Sequence, residues 1–253
     1  MSLAPPPRVR KLQDALHAKA KGSPDYRFYA LYDKVYRVDV LSYAYQRSRE
    51  NKGSMGVDGQ TFADIEAYGV ERWLGELSQE LRAKSYRPQA VRRAWIPKPD
   101  GGQRPLGIPT IKDRVVQTAA MLVLEPIFEA DLQPEQYAYR RGRDAREAVK
   151  AVRALLASGH TQVVDADLKG YFDSLPHPEL LKAVARRVSD KYMLHLVKMW
   201  LKAPIQETRC DEDARKPSDS EGPGSSGAPQ GSPISPILSN VYLHYVLDEW
   251  FEQ

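Results

Sequence analysis

Two carboxylates one residue apart, Asp165 and Asp167, lie in the stretch Thr161-Gln-Val-Val-Asp-Ala-Asp-Leu-Lys-Gly-Tyr-Phe-Asp-Ser-Leu175, and a third, Asp173, follows a Lys-Gly break and an aromatic pair. Read as a β-strand, the stretch alternates its side chains between two faces. Val164, Ala166 and Leu168 then point into a core, while Val163, Asp165 and Asp167 share the other face. Like charges that close repel, and neither is cheaply buried without a partner. A divalent cation removes both problems, because Mg²⁺ takes hard oxygen ligands. The plainer reading is a solvated edge strand bearing two acids by chance, and Asp-x-Asp alone does not choose between them.

Cations gather elsewhere. Residues 82–118 hold nine Lys/Arg and two acids, and within them Arg92-Arg-Ala-Trp-Ile-Pro-Lys-Pro-Asp-Gly-Gly-Gln-Arg-Pro-Leu-Gly-Ile-Pro109 predicts a β-hairpin turning at Asp100-Gly-Gly102. Alternation puts Arg92 and Lys98 on one face. A three-residue turn brings Arg104 opposite Lys98; a two- or four-residue turn does not. Three cations on such a hairpin suit a triphosphate or a phosphate backbone, or they are simply solvated. Tyr137-Ala-Tyr-Arg-Arg-Gly-Arg-Asp-Ala-Arg146 forms a second basic cluster. A third spans residues 1–50, with ten Lys/Arg against five acids and seven aromatics from Tyr26 to Tyr45 interleaved. Those aromatics either stack on bases or pack the cores of amphipathic helices.

The elements that must hold these residues are mostly helical. Apolar spacing predicts helices over Thr61–Lys84, 112–130, 144–157, and from Pro178 to about Ala203 with a break near Ser189-Asp190. Asn51-Lys-Gly-Ser-Met-Gly-Val-Asp-Gly59 is a glycine-punctuated loop. Residues 209–228 are low in complexity and predict a mobile surface loop. Gly227-Ala-Pro-Gln-Gly-Ser-Pro-Ile-Ser-Pro236 predicts a tight turn feeding a helix capped by Ser232, with Ile237, Val241 and Tyr245 on one face.

The composition is that of an ordinary globular protein, with 42% hydrophobic and 28% charged residues and a net charge of +4. Its single cysteine, Cys210, excludes an internal disulfide and a Cys-rich zinc site, and suits a reducing compartment. No apolar run reaches spanning length and the first residues lack a signal-peptide core, so a soluble cytoplasmic protein with no membrane partner is expected.

Three segments in order, the basic hairpin with Arg-Pro-Leu-Gly-Ile-Pro, the acidic Asp-Ala-Asp-Leu-Lys-Gly-Tyr-Phe-Asp and Ala-Pro-Gln-Gly-Ser-Pro-Ile-Ser-Pro, resemble bacterial reverse transcriptases of the group II intron-encoded (maturase) branch. The resemblance runs from about Tyr26 to Gln253. It implies an α+β right-hand polymerase: fingers and a partial palm, with an antiparallel palm sheet and flanking helices. The expected divisions are a basic extension (1–50), fingers with the hairpin (51–111), a first palm part (112–176), a second fingers part (177–232) and a palm helix (233–253).

Carried over by position, Asp167 is the catalytic metal ligand, helped by the Leu168 carbonyl, with Asp165 and Asp173 in support. Phe172 gates against a 2′-hydroxyl. Lys98 and Arg104, with Arg92, bind the triphosphate, and Gln230 and Gly231 line the nucleotide and template pocket. Arg27, Lys52, Arg93, Arg140, Arg141 and Arg143 face RNA. Two Mg²⁺ ions are implied, which activate the primer hydroxyl and neutralise the leaving pyrophosphate.

The implied partners are an RNA template, a DNA primer, deoxynucleoside triphosphates and intron RNA, and a homodimer is left open. The family's second carboxylate pair, in a Tyr-x-Asp-Asp turn, lies beyond Gln253, so this chain alone is expected not to polymerise. An RNA-binding module for intron splicing, or a reverse transcriptase of a defence or diversity-generating lineage, are the alternatives.

Overall fold

Caps and backbone-breaking residues set most element boundaries. The computed structural model describes residues 3–97, 101–207, 226–228 and 230–251. Pro7 opens α1 (Pro7–Gly22), where its missing N–H costs no hydrogen bond. Helices α2 (Tyr32–Val35) and α3 (Val38–Glu50) follow. The single helix expected over Thr61–Lys84 is two, α4 (Phe62–Tyr68) and α5 (Val70–Arg82). Gly69 divides them at φ 105°, a backbone conformation that helices do not hold and glycine adopts freely. A capping box between Thr61 and Asp64 opens α4.

Strands β1 (Val91–Pro97) and β2 (Gln103–Ile108) form the hairpin. Then come α6 (Ile111–Phe128), α7 (Ala145–Ala157), α8 (Tyr171–Ser174), α9 (His177–Arg187) and α10 (Lys191–Leu201). Strand β3 (Ile205–Glu207) and α11 (Ser235–Leu243) complete the order, with a π-turn at His244–Asp248 before α12 (Glu249–Phe251). No helix among the described residues is long and apolar enough to cross a membrane.

Helix α6 is apolar nearly all round, and such a helix must be buried. Helices α1, α2, α3 and α11 pack against it. Pro126 interrupts its ladder, since proline has no N–H to give the Leu122 carbonyl four residues back. Gln13 of α1 supplies the missing donor, Nε2 to that carbonyl at 3.1 Å. The N-terminal aromatics mostly take the core reading: Phe28, Tyr32, Tyr43 and Tyr45 are buried, and Tyr29 faces outward. Asp190 ties distant parts together. One carboxylate oxygen accepts from Leu31 and Tyr32 N–H at the start of α2, and the other caps α10 through Tyr192 and Met193.

The described sheet has strand order β2-β1-β3, antiparallel between β1 and β2 and parallel between β1 and β3. It is a two-stranded hairpin with an added short strand. The antiparallel palm sheet expected around 161–168 is not formed among the described residues. That segment has no regular secondary structure, pairs with no described strand and is exposed throughout, Val164 at 94%. A strand satisfies its backbone only through a neighbour, so alternation alone could not make one here. Ser232 is likewise not a helix cap; α11 begins at Ser235, and the Ser232 hydroxyl donates to Gln117 Oε1 at 2.5 Å. The expected mobile loop falls outside the described residues except for 226–228.

Candidate functional site

The hairpin stands on a buried carboxylate. Asp113, in the first turn of α6, accepts from Tyr86 Oη at 2.5 Å, from the Thr110 hydroxyl at 2.8 Å and from Gln89 N–H at 3.1 Å. Trp200 Nε1 donates in turn to Tyr86 Oη at 3.2 Å. Burial pushes the Asp113 carboxyl above its ordinary value, opposed by the Tyr86 and Thr110 hydrogen bonds. The same burial, reinforced by Asp113, holds the Tyr86 phenol well above its ordinary range. The root of β1 is thereby fixed to the central helix.

Within the hairpin, Ile96 pairs with Arg104 and Pro97 with Gln103. Of the registers the sequence leaves open, the one that sets Arg104 opposite Lys98 is not formed: Arg104 stands opposite Ile96. Directly opposed residues share a face, so Arg92 and Arg104 still point the same way. Lys98 lies outside the described residues. Arg104 is exposed. The Arg92 guanidinium instead bonds the Met55 carbonyl through Nε at 3.1 Å and Nη2 at 2.8 Å. Arg114 Nη2 takes the Ser54 carbonyl at 2.5 Å. These two arginines strap the Gly53–Gly59 loop beneath the hairpin. Gly56 permits it, since a Cβ there would stand 2.6 Å from Thr110 Cα.

The Gln-Gly turn meets the hairpin from the other side. Gly107 N–H donates to the Gln230 carbonyl at 2.6 Å. Gly231, at φ 98°, approaches so closely that a Cβ would lie 2.6 Å from Leu106 Cδ1. The same loop is fastened to α8: Ala228 N–H donates to the Phe172 carbonyl at 2.7 Å and Gly227 N–H to the Leu175 carbonyl at 2.8 Å. His177 Nε2 adds a bond to the Gly227 carbonyl at 2.7 Å. Phe172, Gln230, Gly231 and β2 thus form one hydrogen-bonded assembly. Tyr139 closes on Phe172 edge to face, ring centroids 6.2 Å apart. Neither His177 nor Gln117 stands out in the sequence, because each acts only through a turn far away along the chain.

Asp165 and Asp167 are not part of that assembly. Asp165, Asp167 and Leu168 lie on the exposed irregular segment, and Asp173 is exposed on α8. Carboxylates and a carbonyl are the oxygen donors Mg²⁺ takes. Among the described residues, however, no three Asp, Glu, His or Cys side chains lie close enough to hold a metal.

The expected RNA-facing residues divide. Arg140 is corrected: its side chain is 6% exposed, and its guanidinium pairs with Glu129 at 2.6 Å and bonds the Gln133 and Gln136 carbonyls. It organises the turn into α7. Arg141, Arg143 and Lys52 are exposed, and Arg143 lies over the Tyr137 ring at 5.5 Å. Arg93 is half-buried beside Trp95. Arg27 is exposed, with its Nε bonded to the Ala185 carbonyl at 3.0 Å.

Comparison with known proteins agrees with the ordered motifs. Residues 96–253 match a family described as reverse transcriptase (RNA-dependent DNA polymerase). Protein YkfC of Escherichia coli is 35% identical over 243 residues, covering 93% of this chain and 61% of that protein. The group II intron-encoded protein LtrA of Lactococcus lactis is 32% identical, covering 86% of this chain and 34% of its own length. A putative COX1/OXI3 intron 1 protein of Saccharomyces cerevisiae is also 32% identical, over 85% of this chain and 24% of that protein. The chain therefore spans between about a quarter and three fifths of the length of these relatives.

Proposed function

The chain belongs to the reverse transcriptase (RNA-dependent DNA polymerase) family, in its group II intron-encoded branch, and from this premise we propose that it carries the fingers and part of the palm of an RNA-directed DNA polymerase acting on intron RNA. One observation carries the reading. The Phe172 turn, the Gln230-Gly231 turn and the basic hairpin are bonded into a single wall through Ala228–Phe172 and Gly107–Gln230. A deoxynucleotide seated on that wall would have its sugar edge at Phe172 and its phosphates toward Arg104 on β2, with Lys98 assigned as a second phosphate ligand by its place in the motif. Arg92 acts indirectly, by holding the Met55 loop that braces the hairpin. Planar guanidinium groups suit phosphate oxygens, and a bulky ring at the sugar leaves no room for a 2′-hydroxyl.

Reverse transcriptases use Mg²⁺, which neutralises the charge that develops as a phosphodiester forms. In this reading Asp167 and the Leu168 carbonyl are ligands, with Asp165 and Asp173 in support, once segment 161–168 acquires a strand partner. Arg141, Arg143, Lys52, Arg27 and Arg93 supply contacts to the template and intron RNA.

Primer extension on an RNA template by the complete polypeptide, with Asp167→Ala as the variant, tests this. Synthesis should be lost while RNA binding persists. Undiminished synthesis would remove Asp167 from the chemistry. Salt-dependent RNA binding with no incorporation by the unaltered protein would instead favour a splicing module that grips intron RNA without copying it.

A further inference from the structure

The turn that carries Gln230 and Gly231 begins at Gly227, and both backbone polar groups of that residue are held from the α8–α9 junction. Its N–H donates to the Leu175 carbonyl at 2.8 Å, and its carbonyl accepts from His177 Nε2 at 2.7 Å. A β-bridge between Pro176 and Ser226 extends the pairing by one residue. The two segments lie close: a Cβ on Gly227, at φ 99°, would stand 3.2 Å from the Asp173 carbonyl oxygen. One residue on, Ala228 N–H takes the Phe172 carbonyl. Within this set the His177 bond is the one made by a side chain.

His177 is the first residue of α9 and is 5% exposed. A carbonyl oxygen only accepts, so Nε2 carries the ring hydrogen that makes the bond. Nδ1 is buried and has no hydrogen-bond partner. The ring therefore commits its donor to Gly227 and has no second bond to swing toward. A buried polar atom left unmatched costs stability, and a leucine would fill the same space without that cost. What the imidazole supplies beyond packing is the single bond to the turn. The far end of the turn is held in a similar way, by the Ser232 hydroxyl on buried Gln117.

We propose that His177 is a positioning residue for nucleotide selection. By fixing the Gly227 carbonyl it sets where Ala228, bonded to Phe172, and Gln230, bonded to β2, stand relative to each other. It acts through the turn and not on the substrate itself. Phe172 and Gln230 line one pocket in the polymerase reading above, on which this role rests. A displaced turn changes the room left at the sugar, and with it the choice between deoxy- and ribonucleotide.

The test is primer extension on an RNA template by the complete polypeptide. Values of kcat and KM for a deoxynucleoside triphosphate and its ribonucleotide counterpart are measured for His177→Leu, His177→Asn, His177→Gln and Ser78→Ala. Leucine has no donor, asparagine is too short to reach, and glutamine can place an amide N–H where Nε2 stands. Ser78→Ala also strips a side-chain donor from a carbonyl, that of Tyr36 at 2.7 Å, but on α5 and outside the wall. His177→Leu and His177→Asn should each raise KM for the deoxynucleotide about tenfold and narrow the preference over ribonucleotide about tenfold, with kcat little changed. His177→Gln should restore most of both, and Ser78→Ala should lower the unfolding midpoint while moving neither. Should His177→Leu fail to fold, the asparagine and glutamine variants decide between them. Unchanged KM and preference in His177→Asn, or equal shifts in Ser78→Ala, would overturn the positioning role and leave the polymerase reading intact. No incorporation by the unaltered polypeptide would remove that reading and this role together.

Discussion

Gly231 and Gly107 hold the Gln-Gly turn against the hairpin: a Cβ on Gly231 would stand 2.8 Å from the Gly107 carbonyl oxygen, and the Gly107 N–H bonds the carbonyl of the preceding Gln230. The obstruction includes backbone, which cannot rotate aside as a side chain can. Gly231→Ala, already strained at φ 98°, should destabilise the fold by about 2 kcal/mol or more in urea denaturation. Nucleotide affinity should fall with it. Gly101 also has positive φ but meets nothing within 4 Å, so Gly101→Ala should cost only about 1 kcal/mol. Equal costs for the two would mean that contact with β2 contributes nothing.

Arg140 and Arg143 separate fold from function within one basic cluster. Arg140→Ala strands Glu129 and two carbonyls, and should cost about 2–3 kcal/mol in thermal or chemical unfolding. Arg143→Ala should change stability by no more than about 0.5 kcal/mol and should lower RNA affinity. The reverse pattern would exchange their roles.

Glu125, on α6, is the place to look for pH dependence. Burial raises its carboxyl above the ordinary value of 4.5, Arg47 and Arg141 offset part of that, and Glu129 adds to it. The folded chain therefore binds this proton more tightly than the unfolded chain. The associated stability is full below pH 4.5 and is lost as pH rises through the folded value. Glu125→Gln removes the titration, so it should stabilise the protein by on the order of 1 kcal/mol near neutral pH and leave it unchanged in acid. Denaturant midpoints at the two pH values measure the difference; a gain that persists in acid would point to packing instead.

Phe172 can be changed at its side chain without breaking the assembly, because its carbonyl makes the bond to Ala228. Phe172→Ala should leave stability within about 1–2 kcal/mol. In primer extension it should raise ribonucleotide use relative to deoxynucleotide use by on the order of 10- to 100-fold. An unchanged preference would place sugar selection elsewhere.

Local chemistry was legible residue by residue. The apolar spacing over 112–130 and 144–157 announces α6 and α7, because periodicity depends on neighbours a few positions away. The ordered motifs also identify the family without any coordinates. Gly69 shows the limit at short range: one glycine inside an amphipathic pattern can be tolerated or can end the helix, and only its backbone angle tells which.

What folding decided is everything that depends on a distant partner. The sequence left the hairpin register open between turn lengths, and pairing of Ile96 with Arg104 settled it. Asp-x-Asp alternates as a strand should, yet a strand exists only where another backbone accepts its hydrogen bonds. Arg140 and Arg143 read alike along the chain, but Glu129 buries one of them. Arg8 and Arg82 come from two separate basic stretches, and line one cleft only because the fold brings α1 and α5 to it. Residue type and spacing therefore determine which chemistry is available. Burial and long-range hydrogen bonds determine which side chains are free to perform it.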